Sequence, residues 1–542
     1  MVQQTGGKQR NRFKHNFFLL CMGVAVPMAC STPKNTAAPA TTPSAAVSQV
    51  NQPANGVYNI RDFGAKGDGT TLDTDAINKA ILAAAEAGGG TVYFPAGTYL
   101  SFSIRLKSNI ALYLDQGAVL EGAAPVEGGA GYDPGEPNPH DKYQDWGHSH
   151  WQNSLIWGEN LENVSVLGTG TIYGKGLTRG GRQTPGLGNK AIALKLCRNV
   201  IIRDITILYG GHFGILATGV DNFTIDNVKM DTNRDGIDVD CCRNVRISNC
   251  TINSPWDDAI CLKSSYALGY ARATENVTIT NCQVTGYDRG TFINGTYQRN
   301  EYHTVPDKEG VTGRIKFGTE SNGGFKNITI SNCVFEYCRG LALETVDGGL
   351  LEDVTITNIT MRDIINAPLF LRLGARMRGP EGTPVGKLRR INISNFVVYN
   401  ANSEFASIIS GLPGHEIEDV KLSNIQIHYT GGGTKEMAAI HPPENEKQYP
   451  EPAKMGPMPA YGFFIRHVKG IELNNVDIRL MAEDQRPPFV LDDVKGAEFN
   501  HVKAQVETGI STMVLKNVEN LKLHESLNLK NSEIRKVTQK TL

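Results

Sequence analysis

The sequence predicts an all-β protein: a single-stranded right-handed parallel β-helix with a short N-terminal capping α-helix. Three observations predict it. An eight-residue unit recurs from Glu162 to Ser526, its residues alternate in character, and an Asn returns at its seventh place.

The unit reads polar residue, Asn, Val or Ile, any residue, Ile, any residue, Asn, apolar residue. It starts at Glu162, Arg198, Asp221, Arg243, Glu275, Lys326, Glu352, Arg389, Glu418 and Lys469, and in weaker form at Lys495 and Glu519. Alternation of period two marks a strand. The shortest intervals are 22 to 24 residues and the others carry insertions, which is the spacing of a solenoid. The seventh-place Asn occurs at Asn227, Asn249, Asn281, Asn332, Asn358, Asn395, Asn424 and Asn475. Asn tolerates the left-handed backbone of a tight corner, and its amide can bond the same amide one coil away. A leucine-rich repeat is the rival solenoid, but its Leu consensus is absent.

Taken in order, residues 1–30 read as an export signal. Lys8, Arg10, Arg12 and Lys14 precede a short apolar run that ends at Ala29–Cys30. Cleavage there fits either plain secretion or a bacterial lipoprotein, with Cys30 acylated as the only membrane attachment. The expected location is outer-membrane lipoprotein, periplasmic or extracellular. Residues 31–54, rich in Thr, Ala, Pro and Ser, read as a flexible linker. The catalytic body is expected over 55–530. It opens with a helix of roughly three to four turns, with Asp73 or Thr74 placed to cap it and Gly88–Gly90 to end it. Such a helix would cover the open end of a sheet stack. This opening resembles the N-terminal segment of pectin-degrading, pectin-lyase-like β-helices.

Composition narrows the function. A net charge of −1 gives no global field toward nucleic acid or anionic lipid. Cys250, Cys282 and Cys333 follow Asn in matching units and read as small core residues stacked in register. No Cys-x-x-Cys pair points to zinc. A monomer is expected.

The chemistry concentrates between Asn233 and Ser264. Asp235 and Asp257 lie 22 residues apart, one coil, so they are expected on one face of successive coils. Asp258 adjoins them, Asp238 lines the same patch, and Trp256 and Lys263 flank it. Carboxylates this close raise one another's pKa and keep a proton in the cluster. Glycosidic hydrolysis needs that split: one protonated acid for the leaving oxygen, one ionised carboxylate for water. Downstream, alternation points Arg314 and Lys316 to one face, suited to a carboxylated sugar.

Together these segments resemble the polygalacturonase family, glycoside hydrolase family 28. Asn233-Arg234-Asp235 matches its Asn-x-Asp segment, Asp257-Asp258 its Asp-Asp segment, and Arg314-Ile315-Lys316 its Arg-Ile-Lys segment. The resemblance implies an inverting hydrolase without metal or organic cofactor, acting on pectic polysaccharide or oligosaccharide. Asp257 would be the general acid, Asp235 and Asp258 would activate water, and Arg314 and Lys316 would bind the sugar. The family's Gly-His-Gly segment is absent, and Gly286-Tyr287-Asp288-Arg289-Gly290 stands in its place. That leaves galacturonan and rhamnogalacturonan substrates both open. His212 is a candidate to line the groove instead. Insertions at 126–153 and 286–313 are expected beside the site, closing one end of the groove for exo action. A further Pro-rich insertion, 441–462, carries no chemistry legible in the sequence. The alternatives are a Ca-dependent pectate-type lyase on the same fold and a non-catalytic glycan-binding surface protein.

Overall fold

The computed structural model describes residues 56–126, 129–180, 184–303, 310–526 and 529–542. The expected signal, the Cys30 acylation site and the linker lie outside them. From Gly56 onward the strands stack as coils. One coil runs through Phe213–Thr218, Asp221–Asp226 and Lys229–Asp231. Each of these pairs in parallel with its equivalent one coil on: Asp235–Asp240, Arg243–Ser248 and Thr251–Asn253. Three walls result, with a continuous core of inward Ile, Val, Leu and Phe. From Phe325–Glu336 the second and third walls run together as one bent strand, as in Leu350–Ile364 and Lys387–Ala401.

The corners explain the repeated Asn. All eight seventh-place residues adopt φ between 51° and 57°. From Asn281 to Asn475 each side-chain amide donates to the Asn carbonyl one coil back, at 2.9 to 3.3 Å, and Asn249 donates to Asp226 at 2.8 Å. Asn227 instead bonds Asp204. A second ladder, which the spacing did not suggest, joins the second-place residues Asn163, Asn199, Asn222, Asn244, Asn276 and Asn327. Asn332→Ala removes two rungs and puts a Cβ without a compensating amide in the left-handed region. It is expected to cost about 1–2 kcal/mol, read from the denaturant midpoint.

The helix spans Thr74–Glu86 and buries Ile77, Ala80, Ile81 and Ala84 on the first coils. The expected cap is not formed. The Asp73 carboxylate accepts instead from the backbone N–H groups of Lys66 and Gly67, and Thr74 Oγ1 from that of Phe102. Both side chains tie the preceding loop and the neighbouring strand together rather than serve the helix. The far end also departs from a purely parallel stack. Ser532–Thr541 pairs antiparallel with Met513–His524 and carries exposed Glu533, Arg535, Lys536 and Lys540 along the terminal edge, where charge discourages further strand addition. Cys250, Cys282 and Cys333 are buried and unpaired in adjacent coils.

One wall carries the site on its outer face. Two apolar clusters lie on that face. Segment 126–153 covers Ala193, Phe213 and Leu216 with Trp151. Segment 441–462 covers Ala342, Phe370, Ile408 and Phe464 with Met455 and Met458. Between them the face is charged.

Candidate active site

Three successive strand starts supply the charged patch: Asp235, Asp257 with Asp258, and Arg314. Register corrects the expected pairing. Asp231 lies opposite Asn253, 22 residues on, but Ile237 lies opposite Ile260, 23 residues on. The turn through Pro255 and Trp256 holds the extra residue. Asp235 therefore faces Asp258, and Asp257 sits one residue earlier in the turn. Gly236 permits this corner: a Cβ there would stand 2.4 Å from the Ala259 carbonyl oxygen. The 286–313 insertion braces the turn, with Gly313 N–H donating to the Asp257 carbonyl at 2.9 Å and Arg289 stacked 3.5 Å over Trp256.

Carboxylate oxygens of Asp235, Asp257 and Asp258 come within 4.8 Å of one another. They line a small cavity of about 100 Å³, together with Asp145, Arg234, Lys263, Lys316, Glu320, Arg378 and Tyr449. A larger groove of about 660 Å³ lies outside this site, and its Arg299 and Arg486 are paired with Asp363 and Asp484.

The three acids differ in environment. Asp258 is buried, which pushes its pKa up, yet Lys316 at 3.4 Å and Arg314 Nε at 2.8 Å outweigh burial and hold it at about 2. Asp235 is also buried. Burial, with Asp238 and Asp257 nearby, raises its pKa well above the usual carboxylate range in spite of Lys263 and Arg234. Asp257 is the accessible member, with a quarter of its side chain exposed and Oδ2 3.0 Å from Arg234. Asp238 lies deeper, lifted by burial to about 7 against the pull of Lys263.

Lys263 is a structural cation. Its ammonium donates to His148 Nε2 at 2.8 Å and stands 3.2 Å from Asp238, 3.6 Å from Glu320 and 3.9 Å from Asp235. Burial opposes its charge, but these carboxylates outweigh it and draw its pKa well up. Burial and Lys263 keep His148 neutral. His212 does not reach the cavity. It is buried behind Arg234, accepting from Arg234 Nη1 at 2.6 Å through Nε2 while Nδ1 faces the Arg179 carbonyl. Burial and Arg234 hold it neutral, the state these two bonds require. It positions Arg234.

Arg314 and Lys316 were expected to meet the sugar. Arg314 lies behind the cavity wall, 2% exposed, committed to Asp258 and Glu451. Lys316 lines the cavity but is held by Asp258, by Glu344 at 3.6 Å and by the Tyr449 hydroxyl at 3.0 Å. Both act on Asp258.

Several site residues had no sequence signal. Tyr449 and Glu451 come from the Pro-rich insertion, and Glu451 also pairs with Arg339 at 3.1 Å. Arg378 follows the strand Leu369–Leu373. Asp145 and His148 come from 126–153, the segment that was expected beside the site. Glu320 did have a sequence signal: it continues the alternation of Lys316 along Ile315–Ser321. A dication does not fit the three acids. Asp235, Asp257 and Asp258 each already face a guanidinium, at 3.2, 3.0 and 2.8 Å.

Comparisons with known proteins agree with this architecture. Residues 57–207 match the family described as Rhamnogalacturonase A/epimerase, pectate lyase-like, and residues 186–304 match the right handed beta helix region. A probable polygalacturonase of Vitis vinifera is 27% identical over 407 residues, 70% of this chain and 75% of the relative. An exopolygalacturonase of Platanus acerifolia is 26% identical over 434 residues, 74% of this chain and 98% of the relative. The solved family 28 exopolygalacturonase of Yersinia enterocolitica shares the fold, with a TM-score of 0.60 at 19% identity over 82% of this chain and 78% of that one. Fold, site and relatives define a glycoside hydrolase on a right-handed parallel β-helix. Within that class the chain is polygalacturonase-like, related to glycoside hydrolase family 28.

Proposed function

We propose that the protein hydrolyses pectic polysaccharide or oligosaccharide by single displacement with inversion, releasing units from chain ends. One observation carries the reading: three carboxylates converge in one cavity under environments that divide them. Asp258 is held ionised by Arg314 and Lys316, while Asp235 favours its protonated form. Asp257, the exposed member, is the general acid. The proton that Asp235 retains lies within 4.8 Å of Asp257 and can restore it between turnovers. Water held between Asp235 and Asp258 is the nucleophile; Asp258 accepts its proton and, as the stronger acid, passes it to Asp235, which closes the proton cycle.

Retention is the second reading, because the carboxylates stand closer than the roughly 6.5–9.5 Å usual for inverting pairs. Retention requires a carboxylate oxygen free to attack carbon. Asp258 has Arg314 on one oxygen and Lys316 beside the other, and Asp235 is a poor nucleophile while protonated. Exo action is supported by the enclosure of the cavity between segments 126–153 and 441–462. Export through the basic and apolar N-terminal stretch fits a polymeric substrate.

The test is digestion of homogalacturonan and rhamnogalacturonan fragments, followed by proton NMR and viscometry. The expected first-formed product has the inverted anomeric configuration, and viscosity falls slowly while reducing ends rise. A retained anomer would replace the water step with a covalent one. A rapid viscosity drop would replace exo with endo cleavage.

A further inference from the structure

The corner that follows the bent strands carries the groove of about 660 Å³, which the catalytic chemistry does not use. It crosses four successive coils, at Tyr337, Ile365, Asn402 and Thr430. At roughly 4.8 Å per coil it runs for about 14 Å, the length of a short chain rather than of one sugar. The insertions that flank the cavity also build the groove. Segment 286–313 contributes Arg299 and Tyr302, and segment 441–462 contributes Pro457. Its cations are already neutralised. Arg299 is paired with Asp363 at 2.8 Å and lies 3.5 Å from Glu336, and Arg486 is buried against Asp484 at 2.7 Å. Glu404 is the carboxylate left over. Its backbone is fixed on both sides, the N–H donating to Asn402 Oδ1 at 2.7 Å and the carbonyl accepting from the Met458 N–H at 2.9 Å. Its side chain is exposed, lines the groove, and has no hydrogen-bond or ionic partner among the described residues. Tyr302 and Pro457 add half-buried ring surface.

We propose that this groove is a second glycan site, separate from the catalytic cavity, and that it holds a chain of neutral sugars. A carboxylate on a fixed backbone accepts from sugar hydroxyls, and a ring beside it takes the apolar face of a pyranose. A uronate chain does not suit the place, because its carboxylates would meet Glu404 with both guanidiniums already paired. Neutral galactan or arabinan branches of a rhamnogalacturonan have the required chemistry. Because the same two insertions wall both sites, a branch held in the groove keeps its backbone near the cavity. The choice of polymer rests on the proposed function, whereas the preference for neutral sugars rests on the groove alone.

Calorimetric titration with galactotetraose and with arabinotetraose, unbranched pieces of the two neutral chains, tests it without turnover. Wild-type protein is expected to bind at least one of them with a Kd below about 1 mM. Glu404→Trp fills the groove from an exposed position and keeps both backbone bonds. It is expected to weaken that binding at least about 10-fold with an unchanged unfolding midpoint. Glu404→Gln keeps the shape and loses the charge, and is expected to weaken binding about 3- to 10-fold. In Asp257→Asn protein, excess tetragalacturonic acid is expected to leave the neutral tetrasaccharide bound, because the two occupy different places. Failure of both tetrasaccharides to bind, binding that survives either Glu404 variant, or displacement by tetragalacturonic acid each overturns the proposal. Neutral binding that is lost in Glu404→Trp, in a protein that hydrolyses no pectic fragment, would overturn the proposed function and leave the groove standing. Hydrolysis of pectic fragments with neither tetrasaccharide bound would do the reverse.

Discussion

Asp257→Asn is expected to lower kcat on a pectic oligosaccharide about 10²–10⁴-fold, the usual contribution of a positioned general acid, with an unchanged unfolding midpoint. The variant isolates chemistry from structure. Asp257 stands in a braced turn, partly exposed, with Oδ1 accepting from the Asp258 N–H at 3.0 Å. An Asn carbonyl keeps that bond, and the side chain keeps its shape. What it loses is the proton and the charge facing Arg234. Leaving-group dependence separates this role from the others. An aryl glycoside, whose leaving oxygen needs no protonation, should recover most of the loss in Asp257→Asn and little of it in Asp258→Asn. Activity above a tenth of wild type on the oligosaccharide, or equal rescue of both variants, would remove Asp257 as the acid and move the assignment to Asp235.

The sequence made the coils legible because local chemistry repeats wherever the local backbone repeats. Each Asn at a corner answers the same left-handed bend, so its recurrence could be read without coordinates. The carboxylates were legible for a related reason, since anything one coil apart returns to the same face. The same logic failed by one residue at Pro255 and Trp256, because the unit records its strands and not the length of the turns between them. Asp257 and Asp258 therefore exchanged places opposite Asp235. Arg314 was legible as a cation on the same face as Lys316, and both do reach Asp258 and Glu344. What the sequence did not show is that Glu451, from the Pro-rich insertion, covers Arg314 and takes it out of the cavity. Tyr449, Glu451 and Arg378 were invisible for another reason. They reach the site from insertions that fold back across the wall, and no repeat ties their sequence position to a coil. The same insertion is anchored by Arg372 and Arg466 to backbone carbonyls at Glu444, Pro442 and Pro443, contacts that leave no periodic trace.

Arg314→Ala has the largest expected effect on stability, about 3–5 kcal/mol, the cost of breaking a buried ion pair from one side. It leaves two buried carboxylates, Asp258 and Glu451, with only Lys316 and Arg339 to oppose them. The pH dependence shows whether the mechanism as well as the fold depends on this guanidinium. In the native protein Asp258 is depressed from 3.8 to about 2. A depressed carboxyl contributes stability that is fully present above its unfolded pKa and is lost as pH falls toward the folded value. Between about pH 4 and 2 the wild-type protein should therefore shed stability that Arg314→Ala has already lost, and the variant's profile there should be flatter. Catalysis should follow the same group. If Asp258 must be ionised to accept a proton from water, the acidic limb of kcat moves to higher pH when Arg314 is removed. Glu451→Gln supplies the contrast, because it leaves Arg314 on Asp258 and should cost stability without moving that limb upward. An acidic limb that stays fixed in Arg314→Ala while stability falls would mean that Arg314 only holds the wall together, and that the proton from water goes to a carboxylate other than Asp258.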